Sequence, residues 1–264
     1  MHDFSYHRPA ELGAAQATLK QASDPKLLAG GMTLIPTLKQ RLANPSDVID
    51  LGRVAGLKGI KRDGDTLVIG AMTCHADVAA SDEVKRAIPA LSVLADGIGD
   101  PSVRHRGTIG GSIANADPAA DYPACIVGLG ATIETTEREI AADEFFLALF
   151  TTALGPHEII KSVRFPIPEK AHYLKFRHPA SGYAVVGVMV AKFASFIRVG
   201  VTGAGPSAFR ITAMEQALAK SFTPAAIEAI KVPADDLLGD IHCSAEFRAH
   251  LIGVMAKRAV AAIA

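Results

Sequence analysis

Two glycine-centred loops carry the strongest chemical signal in the sequence, and the first of them reads Leu-Ala-Gly-Gly-Met-Thr-Leu over residues 28–34. Glycine lets consecutive backbone amides point into one concavity and lets an anion approach the main chain closely. A helix that begins after this loop would add unpaired N–H groups, and Thr33 would add a hydroxyl at the capping position. The same residues are typical of a tight turn after a strand, so this loop alone leaves anion binding and a plain turn both open.

The second loop spans residues 104–121 and contains Gly107, Gly110 and Gly111. Its short side chains can form hydrogen bonds; they are Thr108, Ser112, Asn115 and Asp121. Two amide-rich loops can hold the two phosphates of a dinucleotide from different sides, and the polar side chains can reach a sugar or polyol chain. A glycine-rich surface loop with helix-capping residues is the alternative that these residues leave open.

Other kinds of site lack the spacing that they need. No G-x-G-x-x-G follows a strand, and neither G-x-x-x-x-G-K-[ST] nor G-x-S-x-G is present, which disfavours a Rossmann site, a P-loop and a nucleophile elbow. No second histidine follows His157 and Glu158 at zincin spacing. Asp117 and Asp121 lie four residues apart, which permits acid–base pairing, but the neighbouring prolines favour a turn and a helix cap. Tyr183 is more typical of a core residue than of a cofactor contact.

The composition narrows the classes of protein. There are 27 lysines and arginines against 27 aspartates and glutamates, so there is no basic surplus for nucleic acid. The apolar stretch 183–191 ends at Lys192 and falls well short of the about 20 residues that span a bilayer. Cys74, Cys125 and Cys243 are far apart, which argues against a zinc site or an iron–sulfur cluster held by this chain alone. The N-terminus has no apolar signal core, so we expect a cytoplasmic protein.

The first loop is expected to lie inside a small βαβ unit. Apolar periodicity predicts a helix over residues 10–21, and a short strand over 26–29 runs into the glycines. A helix over 34–42 is stopped by Asn44-Pro45, and a strand over 48–51 follows. The order strand, glycine loop, helix, strand is the order of a parallel βαβ unit.

The rest of the chain predicts a second and a third lobe. The second has a hairpin over residues 59–70, helices across 75–80 and 83–98, the glycine-rich stretch 107–115 read as a loop, and a helix over 121–129. We take the Pro166/Pro168 pair as the next boundary. The third has strands near 173–177, 185–192 and 197–202, and helices near 213–220, 224–230 and 245–263.

The two loops with their flanks resemble the FAD-binding (medium) subunit of the molybdenum hydroxylases, the carbon monoxide dehydrogenase and xanthine dehydrogenase type. The matching stretches are 28–36 (beginning Leu-Ala-Gly-Gly-Met-Thr), 69–76, 98–100 with 103–124, 152–160 and 173–176. The block Thr-Ile-Gly-Gly-Ser-Ile-Ala-Asn-Ala-Asp-Pro-Ala-Ala-Asp-Tyr-Pro over 108–123 is the most specific of them. Two departures stand out, since Met32 replaces a polar residue and His105 replaces an asparagine.

The resemblance implies an α+β fold: a two-lobed FAD-binding domain of the vanillyl-alcohol-oxidase-like (PCMH) type, followed by a small C-terminal α+β lobe with an antiparallel sheet. The implied ranges are 1–54 for the βαβ lobe, 55–168 for the second lobe and 169–264 for the C-terminal lobe. The amides of residues 29–34 would hold the FAD diphosphate, and Tyr183 would lie near the isoalloxazine face. The implied cofactor-binding residues are Ala29, Gly30, Gly31, Met32, Thr33, Leu34, Ile98, Thr108, Gly110, Gly111, Ser112, Asn115, Asp117, Asp121 and Tyr183.

The resemblance also implies a function. FAD would take electrons from a partner small subunit with iron–sulfur clusters, after a large subunit with a molybdenum–pterin centre has oxidised the substrate. The electrons would leave to an acceptor such as NAD, a quinone or oxygen, and the assembly would be a dimer of heterotrimers. No catalytic acid–base residue and no metal ligand is implied in this chain. The alternatives are a free-standing flavoprotein oxidase of the same superfamily and a non-enzymatic binding module.

Overall fold

Three larger β-sheets follow one another along the chain, each within one continuous part of the sequence, and a separate two-stranded sheet lies within the second part. The structure is a computed structural model that describes all residues from 1 to 264. The sheets fall inside the predicted ranges 1–54, 55–168 and 169–264, and we propose these ranges as the lobes. None of the helices is both long enough and apolar enough to cross a bilayer.

The first sheet confirms the predicted βαβ unit. Its elements are β1 (Ser5–His7), α1 (Leu12–Gln21), β2 (Pro25–Leu28), α2 (Leu34–Lys39), β3 (Asp47–Asp50) and a 3₁₀ turn (Leu51–Arg53). The strand order is β1-β3-β2, and both neighbours run parallel to β3. Ala15 and Leu19 of α1 are buried with Ile49 of β3, so the apolar face of the helix covers the sheet. The turn from β2 to α2 is therefore the first glycine loop.

The second sheet is antiparallel and is covered by helices. Its elements are β4 (Ile60–Asp63), β5 (Thr66–Gly70), α3 (His75–Ala80), α4 (Asp82–Ala87), α5 (Pro89–Asp96), α6 (Pro101–Arg104), α7 (Ile109–Asn115), α8 (Tyr122–Leu129), β6 (Thr132–Thr135), β7 (Glu139–Ala141), α9 (Ala142–Phe145), β8 (Phe146–Ala148), β9 (Thr151–Thr152) and β10 (Ile160–Pro166). The strand order of the sheet is β4-β5-β10-β6-β7, and β8 and β9 pair with each other in a separate two-stranded sheet. Pro89 divides the predicted helix over 83–98 into α4 and α5, because proline cannot continue the hydrogen-bond ladder.

The third sheet confirms the predicted antiparallel C-terminal lobe. Its elements are β11 (Lys170–Arg177), β12 (Ala184–Lys192), β13 (Ile197–Thr202), β14 (Phe209–Arg210), α10 (Thr212–Lys220), a 3₁₀ turn (Pro224–Ile227) and α11 (Ala245–Ile263). Helix α11 packs on β11 and β12, and α8 of the second lobe packs on β12 and β13. A Cβ on Gly200 of β13 would lie 2.6 Å from the amide nitrogen of Gly128 in α8. The two lobes therefore approach backbone to backbone.

Some predicted elements were wrong in detail. Residues 107–115 were predicted as a loop, but residues 109–115 form helix α7, whose first turn is capped by Thr108. Cys74 occupies the N-cap position of α3, and the Thr73 hydroxyl next to it forms hydrogen bonds with the backbone of Gly59. The helix predicted over 224–230 is only a 3₁₀ turn. The elements β7, α9, β8 and β9 were not predicted, because they are short and carry little periodicity.

Candidate cofactor site

All of the predicted cofactor-binding residues line one cavity of about 910 Å³. They are Ala29, Gly30, Gly31, Met32, Thr33, Leu34, Ile98, Thr108, Gly110, Gly111, Ser112, Asn115, Asp117, Asp121 and Tyr183. The volume lies near the upper end of the roughly 300–1,000 Å³ typical of small-molecule sites. Residues from all three proposed lobes contribute to the wall, so the cavity lies where the lobes meet.

The first loop presents unused backbone donors to this cavity. Gly31 has a φ of 77°, in the left-handed region that glycine adopts without a Cβ penalty. No backbone carbonyl accepts a hydrogen bond from the N–H groups of residues 30–33, and an anion is the ligand that such a group of donors favours. Thr33 occupies the N-cap position of α2, as predicted, and its hydroxyl forms no capping hydrogen bond within the chain.

The two glycine loops touch each other. A Cβ on Gly30 would lie 2.7 Å from the carbonyl carbon of Arg106 and closer still to its oxygen. A Cβ on Gly111 would lie 2.9 Å from Oγ1 of Thr108 and 3.4 Å from Cβ of Ala29. Glycine is thus required where the loops meet, and the two bends share one cavity.

The second loop uses most of its amides to hold itself in place. The N–H of Ile109 donates to the Thr73 carbonyl at 3.1 Å, and that of Gly110 donates to the Ala71 carbonyl at 2.8 Å. The N–H of Gly111 donates to Oγ1 of Thr108 at 3.1 Å. The expectation that both loops offer free amides therefore holds for the first loop only. The second loop contributes its backbone surface and the side chains of Thr108, Ser112 and Asn115 to the wall.

His75 is a wall residue to which the sequence assigned no role. Its ring lies against Gly107, and its Nδ1 is buried with no hydrogen-bond partner in the structure. Burial, with a smaller contribution from the charge of Arg104, lowers the pKa of His75 to about 4. His75 is therefore neutral at physiological pH and adds no positive charge to the cavity.

The two aspartates singled out in the sequence do not pair with each other. Asp117 accepts a hydrogen bond from the N–H of Ala119 at 2.9 Å. Asp121 is buried and accepts from the Tyr173 hydroxyl at 2.6 Å, and Nζ of Lys175 lies 2.9 Å from its Oδ1. The sequence did not indicate these partners, because they lie on β11, far along the chain from the second loop.

The C-terminal lobe closes the cavity on the side of the second loop. The N–H of Gly203 donates to the Pro118 carbonyl at 2.7 Å, and the N–H of Ala184 donates to the Ala119 carbonyl at 3.1 Å. The Thr202 hydroxyl lies 2.7 Å from the Ala120 carbonyl oxygen. Tyr183, which directly precedes β12, is 47% exposed and lines the cavity. Tyr183 is therefore not a core residue.

A buried carboxylate supports another part of the cavity wall. The side chain of Glu158 accepts hydrogen bonds from Nε of Arg138 at 3.0 Å, from Oγ1 of Thr135 at 2.7 Å and from the Gly155 N–H at 2.6 Å. Burial alone would raise the pKa of Glu158, but these hydrogen bonds together lower it. The pKa of Glu158 is therefore lower in the folded chain than its ordinary value of 4.5. The ionised carboxylate stabilises the folded chain above pH 4.5, and this stabilisation is lost as the pH falls below that value.

Glu158→Gln is expected to destabilise the folded chain by about 1–3 kcal/mol at neutral pH, because the charge-assisted hydrogen bonds weaken. The free energy of unfolding is measured by urea denaturation between about pH 7 and pH 3. The difference between wild type and variant should shrink as the pH falls below 4.5, the ordinary value for the group. A difference that stays constant over this range would contradict the assigned ionisation.

Comparison with known proteins identifies the family. The model described as "FAD binding domain in molybdopterin dehydrogenase" matches residues 2–168. The carbon monoxide dehydrogenase medium chain of Hydrogenophaga pseudoflava is 37% identical over 278 residues, covering 97% of this chain and 96% of the relative. The nicotine 6-hydroxylase medium subunit of Paenarthrobacter nicotinovorans is 34% identical, covering 97% of this chain and 95% of the relative.

A solved structure supports the same assignment over the whole chain. Carbon monoxide dehydrogenase from Hydrogenophaga pseudoflava, in a form that lacks the Mo-pyranopterin moiety of its cofactor, contains a chain that superposes with a TM-score of 0.88. The sequence identity is 37%, and the match covers 98% of this chain and 96% of that chain. The agreement thus extends through the C-terminal lobe, beyond the domain matched by the family model. The chain belongs to the FAD-binding medium subunits of the molybdenum hydroxylase family.

Proposed function

We propose that this chain holds FAD in the cavity between the glycine loops and passes electrons from partner iron–sulfur clusters to an external acceptor. The observation that carries the proposal is the set of unused N–H groups of residues 30–33, which line the same cavity as the second loop. These donors suit a diphosphate, and the glycines let it approach the main chain. When bound, the flavin supplies the redox chemistry, and the protein binds and orients it.

The proposed contacts follow the order of the residues around the wall. Residues 29–34 surround the diphosphate, with Thr33 as the nearest hydroxyl. Thr108, Ser112 and Asn115 offer hydroxyl and amide groups to the ribityl chain. The wall also contains Ile98, Asp117, Asp121 and Tyr183, and we place the flat flavin ring against them, because an apolar residue and an aromatic ring suit it. Met32, which replaces a polar residue, contributes no side-chain hydrogen bond.

The proposed partners are a large subunit with the molybdenum–pterin centre and a small subunit with the iron–sulfur clusters, arranged as a dimer of heterotrimers. The names of the relatives support this, since they are medium chains or medium subunits. The separation of Cys74, Cys125 and Cys243 also supports clusters on another chain, because a cluster needs thiolates that converge. The relatives act on substrates as different as carbon monoxide and nicotine, so we propose that the large subunit selects the substrate.

The experiment is to purify the chain with whatever subunits accompany it from its native host, and to assay flavin, iron and molybdenum. The proposal expects FAD bound to this chain, with iron and molybdenum on separate subunits. A yellow monomer that oxidises a substrate without partners would support a free-standing oxidase instead. A chain that retains no flavin, alone or in the complex, would contradict the proposal.

A further inference from the structure

The side chain of Lys175 lies buried behind the cavity wall and contacts two separate parts of that wall. Its Nζ is 2.9 Å from Oδ1 and 3.0 Å from Oδ2 of Asp121, and 3.0 Å from the carbonyl oxygen of Gly97. Only 8% of the Lys175 side chain is exposed. The ammonium of Lys175 thus donates to Oδ2 of Asp121, which lines the cavity, and to the carbonyl of Gly97, which directly precedes residues that line it.

Both oxygens of the Asp121 carboxylate accept hydrogen bonds from side chains of β11. Its Oδ1 also accepts from the Tyr173 hydroxyl at 2.6 Å. Its Oδ2 accepts from Nζ of Lys175 at 3.0 Å, so each oxygen of the carboxylate has one donor from β11. A carboxylate offers about four acceptor positions, so Asp121 keeps acceptor capacity while it lines the cavity. A buried carboxylate without a cation beside it takes up a proton instead of staying charged.

The second part of the wall that Lys175 supports begins directly after Gly97, whose carbonyl accepts a hydrogen bond from Lys175. Residues 98–100 directly follow it and line the cavity. The same carbonyl accepts from Nη2 of Arg177 at 3.0 Å, and Nη1 of Arg104 lies 3.1 Å from the carbonyl oxygens of Ile98 and Gly99. Three cations therefore hold this segment by its backbone, but only Lys175 joins it to Asp121.

We propose that Lys175 is a positioning residue of the FAD site, which holds Asp121 as a fixed carboxylate and ties the wall segment after Gly97 to the same point. The inference rests on the proposed function, because it takes FAD as the group that covers this wall. Lys175 lies behind the wall and acts through Asp121. The sequence alone does not indicate the contact between Lys175 and Asp121, because β11 and the second loop are distant in the chain.

The ionisation of Asp121 depends on the groups that face it. These groups are Lys175, Arg177, Tyr173, Tyr122 and Tyr183. Burial raises the pKa of Asp121, and the charge of Lys175 and the hydroxyl of Tyr173 are the main effects that oppose the rise. Arg177 acts more weakly and is itself exposed. Without Lys175, the carboxyl would therefore take up a proton at a higher pH than in the wild type.

The test is the dissociation constant of FAD as a function of pH, measured by flavin fluorescence on the full chain assembled with its native partner subunits. In Lys175→Met, Asp121 has no cation beside it, and bound FAD covers its carboxyl group. FAD should therefore bind more tightly when Asp121 is protonated than when it is ionised. Affinity should therefore fall by up to about tenfold per pH unit above the pKa of Asp121. The wild type and the double variant Asp121→Asn/Lys175→Met should show a flat profile between about pH 6 and pH 8.5.

The matched control is Lys161→Met, which breaks the ion pair between Lys161 and Glu134, neither of which lines the cavity, and should leave the pH profile flat. Equal weakening at every pH in Lys175→Met would indicate a merely structural lysine and contradict the inference. If Lys175→Met does not fold, the wild-type profile decides, since a wild-type affinity that already falls with pH overturns the proposal. A complex that binds FAD but lacks the slope contradicts only this inference, whereas a complex without FAD contradicts the proposed function as well.

Discussion

Gly30→Val is expected to abolish FAD retention. The first carbon of the new side chain would lie 2.7 Å from the carbonyl carbon of Arg106 and 2.8 Å from the α-carbon of Gly107. Both neighbours are backbone atoms of the second loop, so no side-chain rotation relieves the overlap. The loops must separate, and the N–H groups of residues 30–33 then no longer face the cavity that the second loop completes. The measurement is the ratio of flavin to protein in the purified complex.

A control with the same substitution is available in the same lobe. A Cβ on Gly13 in α1 meets no atom within 4 Å, so Gly13→Val should retain flavin as the wild type does. Gly111→Val should weaken retention strongly, because its Cβ would lie 2.9 Å from Oγ1 of Thr108 and displace the cap of α7. Full flavin occupancy in Gly30→Val would show that close contact of the loops is not needed.

The parts of the fold that could be predicted from the sequence are those with local causes. The strand, glycine loop and helix around residues 26–39 follow from apolar spacing and from the turn chemistry of Gly30 and Gly31. The strands of the third lobe follow from long apolar runs such as β12, which is buried along almost its whole length. The wall residues 29–34 and 108–121 came from the resemblance, and all of those named there line the cavity.

The sequence misled where tertiary packing overrides local propensity. Glycine inside a helix costs about 0.5–1 kcal/mol relative to alanine, so two adjacent glycines in residues 107–115 predicted a loop. The structure forms α7 there because Ile109 and Ile113 are fully buried and Thr108 caps the first turn. Burial of two isoleucines outweighs the propensity of Gly110 and Gly111.

The partners of Asp121 could not be predicted for a different reason. Its spacing from Asp117 suggested a local interaction, yet its contacts are Tyr173 and Lys175 on β11. Such pairs depend on how the second and third lobes pack, and nothing in the hydrophobic pattern of either segment specifies a partner so far along the chain. Glu158 and Arg138 lie within the second lobe, but they are 20 residues apart with short unpredicted elements between them, so their ion pair could not be predicted either.

Asp121→Ala is expected to cost about 3–5 kcal/mol of folding free energy, because it leaves the ammonium of Lys175 and the hydroxyl of Tyr173 buried without their partner. Lys175 would keep only the Gly97 carbonyl, and the contact between the second loop and β11 would be lost. The measurement is urea denaturation of the chain without FAD, followed by far-ultraviolet circular dichroism. Loss of stability in the FAD-free state separates this effect from any loss of ligand contact.

Asp117→Ala provides the comparison within the same loop. Asp117 accepts one hydrogen bond, from the N–H of Ala119 two residues away, and its removal should cost about 0.5–1.5 kcal/mol. The two aspartates look alike in the sequence, so a large difference between the variants measures what the C-terminal lobe adds to the site. Equal costs would mean that the ion pair with Lys175 stabilises nothing beyond an ordinary turn contact. Asp121 would then have to be explained as a wall residue alone, without the support from β11 that the structure describes.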